Sequence, residues 1–166
     1  MRVTEVSKLE QIHNTEKLDE ILAKLCEMIV ERVKTDPDGR VAACVLDPDN
    51  RAVLRVNYPK NGKRVHAERA AIEAYHKKYG EIPKGSIVIT TLSPCSDHMD
   101  ERYGDSCTDL LDELGIKKVF CGYNDPVQVD SENYKNKNFR VLETSNKKIK
   151  QLCKKIADTF VYDKNL

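Results

Sequence analysis

Four side chains in the middle of the chain are of the types that bind a metal ion and move protons: His66, Glu68, Cys95 and Cys107. An imidazole and two thiolates leave one position open on a tetrahedral zinc ion, which is the composition of a catalytic site rather than a closed structural one. A carboxylate at Glu68 would lie near the metal without binding it, and it can carry a proton from water to a leaving nitrogen. These residues therefore predict a zinc centre for hydrolytic chemistry.

The elements that must position these residues are strand ends and helix starts. His66 precedes the apolar face of a predicted helix, Cys95 follows a β-branched strand at 86–91, and Cys107 opens a short helix. The positive end of a helix lowers the pKa of a nearby thiol, which favours cysteines that are ready to bind metal.

Strands and helices alternate along the chain after an opening hairpin. This order predicts a three-layer α/β/α sandwich with helices on both faces of a mixed sheet of about five strands. No repeat or linker interrupts the chain, so we expect a single domain over residues 1–166, with the motifs in a core at about 41–123. The predicted elements are a helix at 15–34, strands at 41–46 and 52–56 joined by a turn, a polar loop at 57–65, a helix after His66, a strand at 86–91, a short helix around Leu110, strands at 117–121 and 139–142, and a helix at about 145–160.

Two short motifs frame the predicted zinc centre, His66-Ala67-Glu68 and Pro94-Cys95. The combination of H-x-E with P-C-x-x-C is typical of zinc-dependent base deaminases. On these motifs the chain resembles the cytidine-deaminase superfamily, over about residues 41–123. The resemblance implies the cytidine-deaminase-like fold, bound Zn²⁺, a hydrolytic deaminase activity with Glu68 as the catalytic proton carrier, and assembly into homodimers or larger homo-oligomers.

The third protein ligand of the zinc has two candidates. His98 stands three residues after Cys95, where the family pattern has its second cysteine, and Cys107 stands twelve residues after it. The sequence after Cys107 resembles the helix and strand that follow the family's second cysteine. Residues 96–106 would then be a widened loop, similar to that of the riboflavin-pathway pyrimidine deaminases, which residues 91–96 and 124–126 also resemble. We therefore favour Cys107, with His98 as the alternative.

Further residues are candidates for contacts with a substrate. The resemblance implies that Asn57 binds a sugar or base and that backbone amides near Ala67 and Cys95 help to hold the ring. The basic side chains of Lys63 and Arg64 lie just before the zinc histidine and can hold a phosphate. The candidate substrate-binding residues are Asn57, Lys63, Arg64, Ala67, Ser93 and Pro94.

Charge and aromatic content favour a small substrate over a polynucleotide. The chain has Lys+Arg 28 against Asp+Glu 27, a formal net charge of +1, and no tryptophan. Proteins that bind single strands combine a basic groove with stacking aromatic rings. The segment 96–106 is acidic and would repel a polyanion. We therefore expect a cytosine-type pyrimidine nucleoside or nucleotide, or a related aminopyrimidine, as the substrate.

Two other functions stay open at this point. Ser93-Pro94-Cys95 is equally similar to the polynucleotide-editing branches of the superfamily, and Tyr58, Tyr103 and Tyr123 could stack a base of single-stranded DNA or RNA. The chain could instead be a non-catalytic zinc-binding module on the same scaffold.

The remaining sequence indicates a cytoplasmic protein with no membrane partner. Its apolar runs are far shorter than the roughly 20 residues that span a bilayer, and residues 1–14 lack the apolar segment of a signal peptide. Four further cysteines lie in apolar stretches and are expected to be buried without disulfides: Cys26, Cys44, Cys121 and Cys153.

Overall fold

The computed structural model describes residues 14–95, 106–126 and 136–164 of the chain. In chain order its elements are α1 (Thr15–Arg32), β1 (Ala42–Leu46), β2 (Ala52–Val56), β3 (Tyr58–Lys60), β4 (Lys63–Val65), α2 (Ala67–Tyr79), β5 (Ile87–Leu92), α3 (Cys107–Glu113), β6 (Lys118–Tyr123), β7 (Arg140–Glu143) and α4 (Lys147–Lys164).

Five strands form one mixed sheet in the order β2-β1-β5-β6-β7. β1 pairs antiparallel with β2 and with β5, whereas β5, β6 and β7 run parallel to one another. Parallel neighbours need a crossover connection, and α3 lies on the connection from β5 to β6. Because these three strands point the same way, their carboxyl ends meet at one edge of the sheet.

Helices cover both faces of this sheet. On one face α1 and α4 pack over Cys44, Ile89 and other residues of alternate strand positions. On the other face α2 and α3 pack over Val45, Val88 and their neighbours. Adjacent residues of β1 thus point into different cores, which explains why all five are buried. The predicted three-layer α/β/α sandwich with a mixed sheet of five strands is confirmed.

Residues 57–65, predicted as a polar loop, contain a hairpin instead. β3 pairs antiparallel with β4, and the turn between them holds Asn61 and Gly62 at φ values of 53° and 78°. Asn-Gly is the preferred pair for a two-residue hairpin turn with positive φ at both positions. The sequence therefore contained the turn signal. The strands beside the turn were not predicted because most of their residues are polar. The hairpin leads the chain directly into His66.

Side-chain caps fix the starts of α1 and α4. The Asn14 side chain accepts a hydrogen bond from the Glu16 N–H at 3.0 Å, and Asn146 accepts from the Lys148 and Ile149 N–H groups at 3.1 and 3.2 Å. α1 therefore begins where the sequence predicted, and α4 begins two residues later than predicted.

Four cysteines lie in the core as predicted: Cys26, Cys44, Cys121 and Cys153 are buried and form no disulfide. None of the helices in the described ranges is long and apolar enough to cross a bilayer. The single domain and the cytoplasmic location stay predictions.

Candidate metal centre

The imidazole of His66 lies at the junction between the β3–β4 hairpin and α2. His66 is the N-cap residue of α2, with extended backbone angles of φ −64° and ψ 151°. Its Nδ1 atom lies 3.5 Å from the Sγ of Cys95 and 3.3 Å from the Sγ of Cys107. The fold therefore brings together three residues that are far apart in the sequence.

The two cysteines are held by the start of α3. Cys95 follows the carboxyl end of β5, and Cys107 is the first residue of α3, behind the N-cap residue Ser106. The Cys107 N–H donates to the Sγ of Cys95 at 3.3 Å, and the Thr108 N–H donates to the Cys95 carbonyl at 3.2 Å. A reciprocal capping box between Ser106 and Asp109 fixes this first turn.

The three side chains fit a zinc ion. Their ligand atoms all lie within 4.8 Å of one another. Zinc binds sulfur at about 2.3 Å and imidazole nitrogen at about 2.0 Å, so tetrahedral geometry places these atoms about 3.5 Å apart. The two nitrogen-to-sulfur distances, 3.5 and 3.3 Å, match that separation. One imidazole and two thiols are also the donor set that borderline-soft zinc prefers.

The electrostatics of the cluster favour a thiolate. Hydrogen bonds from the Cys107 thiol and from His66 lower the pKa of Cys95 to about 5, despite its burial. The same contact with Cys95, together with burial, raises the pKa of Cys107. Interaction with Cys95 also raises the pKa of His66. The contacts with Cys107 and His66 thus favour a thiolate at Cys95.

A buried carboxylate lies beside the cluster. Glu68, in the first turn of α2, is only 4% exposed. Its Oε2 atom lies 3.6 Å from the Cys107 thiol, and its Oε1 atom accepts a hydrogen bond from the Thr90 hydroxyl at 3.2 Å. Burial, and secondly the charge of Cys95, raise the pKa of Glu68.

The contact between Thr90 and Glu68 was not predicted from the sequence. It lies in β5, on the sheet face that α2 covers, in alternation with Val88. Because side chains alternate between the two faces of a strand, the sequence could have assigned Thr90 to the face that α2 covers. Nothing in the sequence shows which residue of α2 lies opposite Thr90.

Two of the six predicted substrate residues are engaged by a neighbouring segment. The Asn57 side chain is buried, donates to the Asp38 carbonyl at 3.0 Å and accepts from the Val41 N–H at 3.4 Å. Arg64 makes two hydrogen bonds of 2.9 Å to the carboxylate of Asp36 and a third to the Asn57 carbonyl. Both side chains thus hold the segment before β1, and their contacts with substrate stay predictions.

Three of the other predicted substrate residues lie beside His66 and Cys95 in the chain. Ala67 and Pro94 are buried next to His66 and Cys95, and the buried Ser93 hydroxyl accepts from the Asp125 N–H at 2.9 Å. Lys63 is half-buried in β4. Their contacts with substrate also stay predictions. The alternative ligand His98, the stacking candidate Tyr103 and the acidic side chains at 97, 100, 101 and 105 lie outside the described residues.

Comparison with known proteins agrees with these motifs. Residues 16–123 match the family model described as the cytidine and deoxycytidylate deaminase zinc-binding region. The chain is 39% identical over 92 residues to the riboflavin biosynthesis protein RibD of Actinobacillus pleuropneumoniae, a match that covers 55% of this chain and 22% of that protein. The chain thus spans under a quarter of the length of this curated relative.

Solved structures share the fold. A diaminohydroxyphosphoribosylaminopyrimidine deaminase/5-amino-6-(5-phosphoribosylamino)uracil reductase from Thermotoga maritima is similar with a TM-score of 0.57 and 27% identity, over 84% of this chain and 42% of that one. The dCMP deaminase of cyanophage S-TIM5 is similar with a TM-score of 0.52 and 21% identity, over 75% and 97% of the two chains. The prediction of Zn²⁺ as the metal is confirmed by the family match and the cluster together. The prediction of a deaminase agrees with the family match. The chain belongs to the cytidine and deoxycytidylate deaminase family, through the zinc-binding region that contains His66, Cys95 and Cys107.

Proposed function

We propose that the chain hydrolytically replaces an exocyclic amine by oxygen on a cytosine-type pyrimidine nucleoside or nucleotide, or on a related aminopyrimidine. The observation that carries this proposal is the position of Glu68. Its buried carboxylate lies 3.6 Å from the Cys107 thiol and is separate from the three-residue cluster of candidate ligands. A structural zinc site has no need of such a group, whereas hydrolysis at a zinc site needs a proton carrier beside the metal.

In this proposal His66, Cys95 and Cys107 are the protein ligands of the zinc. Three protein ligands leave the fourth corner of the tetrahedron for water or substrate. A zinc ion held there supplies Lewis acidity, which makes water a stronger nucleophile at neutral pH. His66 and Cys95 are both half-buried whereas Cys107 is buried, so we propose that substrate approaches from the side of His66 and Cys95.

Glu68 carries the proton through the reaction. Its carboxylate takes a proton from the attacking water as a carbon–oxygen bond forms at the carbon that bears the amine. The carboxyl group then gives that proton to the amine nitrogen, the carbon–nitrogen bond breaks, and ammonia leaves. The second proton of the water moves to the adjacent ring nitrogen, so the ring keeps the oxygen as a carbonyl and one water is consumed for each ammonia released.

Two observations support a small phosphorylated substrate. The relative at 39% identity is a riboflavin biosynthesis protein, and the structure at 27% identity is named for a phosphoribosyl aminopyrimidine deaminase. Lys60 is exposed and Lys63 half-buried on the hairpin that leads into His66, and we propose that their ammonium groups hold a phosphate of the substrate. We therefore propose an aminopyrimidine that carries a ribose phosphate as the first substrate to test.

A polynucleotide substrate is the second candidate. Tyr123 ends β6 at the sheet edge where Cys95 lies, and the Lys154 ammonium is 6.0 Å from the centre of its ring. A tyrosine and a lysine in this arrangement are suited to stacking and neutralising a single strand. The near-zero net charge of the chain weighs against extensive contact with phosphates.

Ammonia release from a substrate panel tests these alternatives. The zinc-loaded chain is assayed with cytosine, cytidine, deoxycytidine, their monophosphates, a phosphoribosyl diaminohydroxypyrimidine and single-stranded oligonucleotides, each at low and moderate salt. We expect turnover of a small phosphorylated compound. Turnover of oligonucleotides alone, weakening steeply with salt, would favour the editing function. No turnover at one zinc per chain would favour a non-catalytic zinc module.

We also propose that the chain assembles as a homodimer or larger homo-oligomer, as the family resemblance implies. Light scattering of the purified chain measures its mass, and a mass of 18.9 kDa would contradict this expectation.

A further inference from the structure

We infer that Thr90 is a positioning residue for Glu68, holding one carboxylate oxygen so that the other is directed at the metal cluster. This inference rests on the proposed function, because Glu68 needs a fixed orientation only if it transfers the proton.

The contact between Thr90 and Glu68 is fully buried. The Thr90 side chain is 0% exposed, and its Oγ1 atom lies 3.2 Å from Oε1 of Glu68. The other carboxylate oxygen, Oε2, lies 3.6 Å from the Sγ of Cys107. The two oxygens thus face opposite partners, one in the sheet and one in the metal cluster, and the hydroxyl sets which way the carboxylate plane lies.

The hydroxyl of Thr90 can stay bonded to Glu68 whichever of them donates. Oγ1 also lies 2.8 Å from the Leu92 carbonyl. A hydroxyl has one donor and two lone pairs, so it can donate to the carboxylate, or donate to Leu92 and accept from a carboxylic acid. A residue beside a group that takes up and releases a proton needs this dual capacity.

Metal binding makes the Thr90 contact more important. In the metal-free cluster the Cys107 thiol can donate to Oε2 of Glu68. A cysteine that binds zinc does so as a thiolate and has no proton to donate. The Thr90 hydroxyl then remains as a side-chain donor to this carboxylate, beside the backbone N–H of Glu68. It limits the rotation of a long side chain with several freely turning bonds.

On the neighbouring strands Thr90 pairs with Ala43 and Cys121, which are both buried. The sheet face under α2 carries Val45, Val88 and Val119. A valine at position 90 would suit that face equally well in shape, so the packing does not account for the hydroxyl. The hydrogen bonds to the Glu68 carboxylate and to the Leu92 carbonyl account for the hydroxyl instead.

Isosteric substitution tests the inference. Thr90→Val removes the hydroxyl and keeps the shape, and Thr90→Ser keeps the hydroxyl. Thr91→Val is the matched control, because Thr91 is also a buried threonine of β5 but bonds the Ala42 N–H on the other side of the sheet. Each variant is loaded to one zinc per chain. We expect Thr90→Val to lower kcat by roughly ten- to a hundredfold with little change in KM, Thr90→Ser to restore it, and Thr91→Val to leave it unchanged.

A second readout is independent of turnover. In protein labelled with ¹³C at the glutamate δ-carbon, the Glu68 signal is identified by its loss in Glu68→Gln. We expect this signal to shift in Thr90→Val and to keep its position in Thr91→Val. Either wild-type kcat in Thr90→Val or an unmoved Glu68 signal in that variant would overturn the inference. Should Thr90→Val fail to fold, Thr90→Ala and Thr90→Ser are compared in the same two measurements.

Failure of the proposed function looks different. A wild-type chain that releases no ammonia from any substrate, or a Glu68→Gln variant that is fully active, would remove the role of Glu68 itself. The positioning role alone would be rejected if Thr90→Val were fully active while the wild type is active and Glu68→Gln is inactive.

Discussion

The backbone N–H of Cys107 donates a hydrogen bond to the Sγ of Cys95, 3.3 Å away. The amide of one candidate metal ligand thus stabilises the sulfur of the other. This arrangement requires Cys107 to be the first residue of α3, where the N–H has no partner within the helix. The start of α3 therefore supplies one candidate ligand and stabilises negative charge on the second.

Substitution of the candidate ligands is expected to separate Cys107 from His98. Cys107→Ser should lose bound zinc because it removes a thiolate from the cluster at His66 and Cys95. His98→Ala should retain one zinc per chain. Metal analysis after gel filtration measures both variants. Loss of zinc in His98→Ala with retention in Cys107→Ser would reverse the assignment.

The ion pair between Asp36 and Arg64 predicts a pH dependence of stability. The Arg64 guanidinium donates to Asp36 and holds the pKa of this carboxyl below its usual value. A depressed folded-state pKa contributes stability that is fully present above the unfolded pKa, about 3.9, and is lost as pH falls through the folded value. Asp36→Asn should therefore lower the free energy of unfolding at neutral pH by about 1 kcal/mol.

Urea unfolding at several pH values measures this effect. The difference between wild type and Asp36→Asn should shrink as the solution is acidified below pH 4. Asp49→Asn, at a side chain that is 54% exposed, serves as the control. A difference that grows on acidification would contradict the prediction.

Gly122 in β6 is expected to tolerate no side chain. A Cβ added there would lie 2.3 Å from the Sγ and 2.9 Å from the Cβ of Cys153 in α4. Gly122→Ala should lower the free energy of unfolding by about 1–3 kcal/mol, as overpacking of a core does. The double variant with Cys153→Ala should recover part of this loss in urea unfolding. A Gly122→Ala protein as stable as wild type would show that α4 can move away from the sheet without cost.

Much of the fold and of the site could be predicted from the sequence because their signals are local. The apolar stripe of α1, the turn between β1 and β2, and the H-x-E and P-C motifs each lie within a few residues. The contacts of Asn57 and Arg64 could not be predicted from the sequence, because they depend on where the segment at 36–41 lies against the β3–β4 hairpin. Thr90 was missed for the same reason, since its meeting with Glu68 depends on how α2 packs over β5.

Ammonia release by wild type and Glu68→Gln, each carrying one zinc per chain, tests the central claim most directly. Glutamine keeps the size of the side chain but cannot carry the proton, so the account predicts retained zinc and a rate lower by roughly 10²–10⁴-fold on the best substrate of the panel. Equal ammonia release by the two proteins at equal zinc content would contradict it.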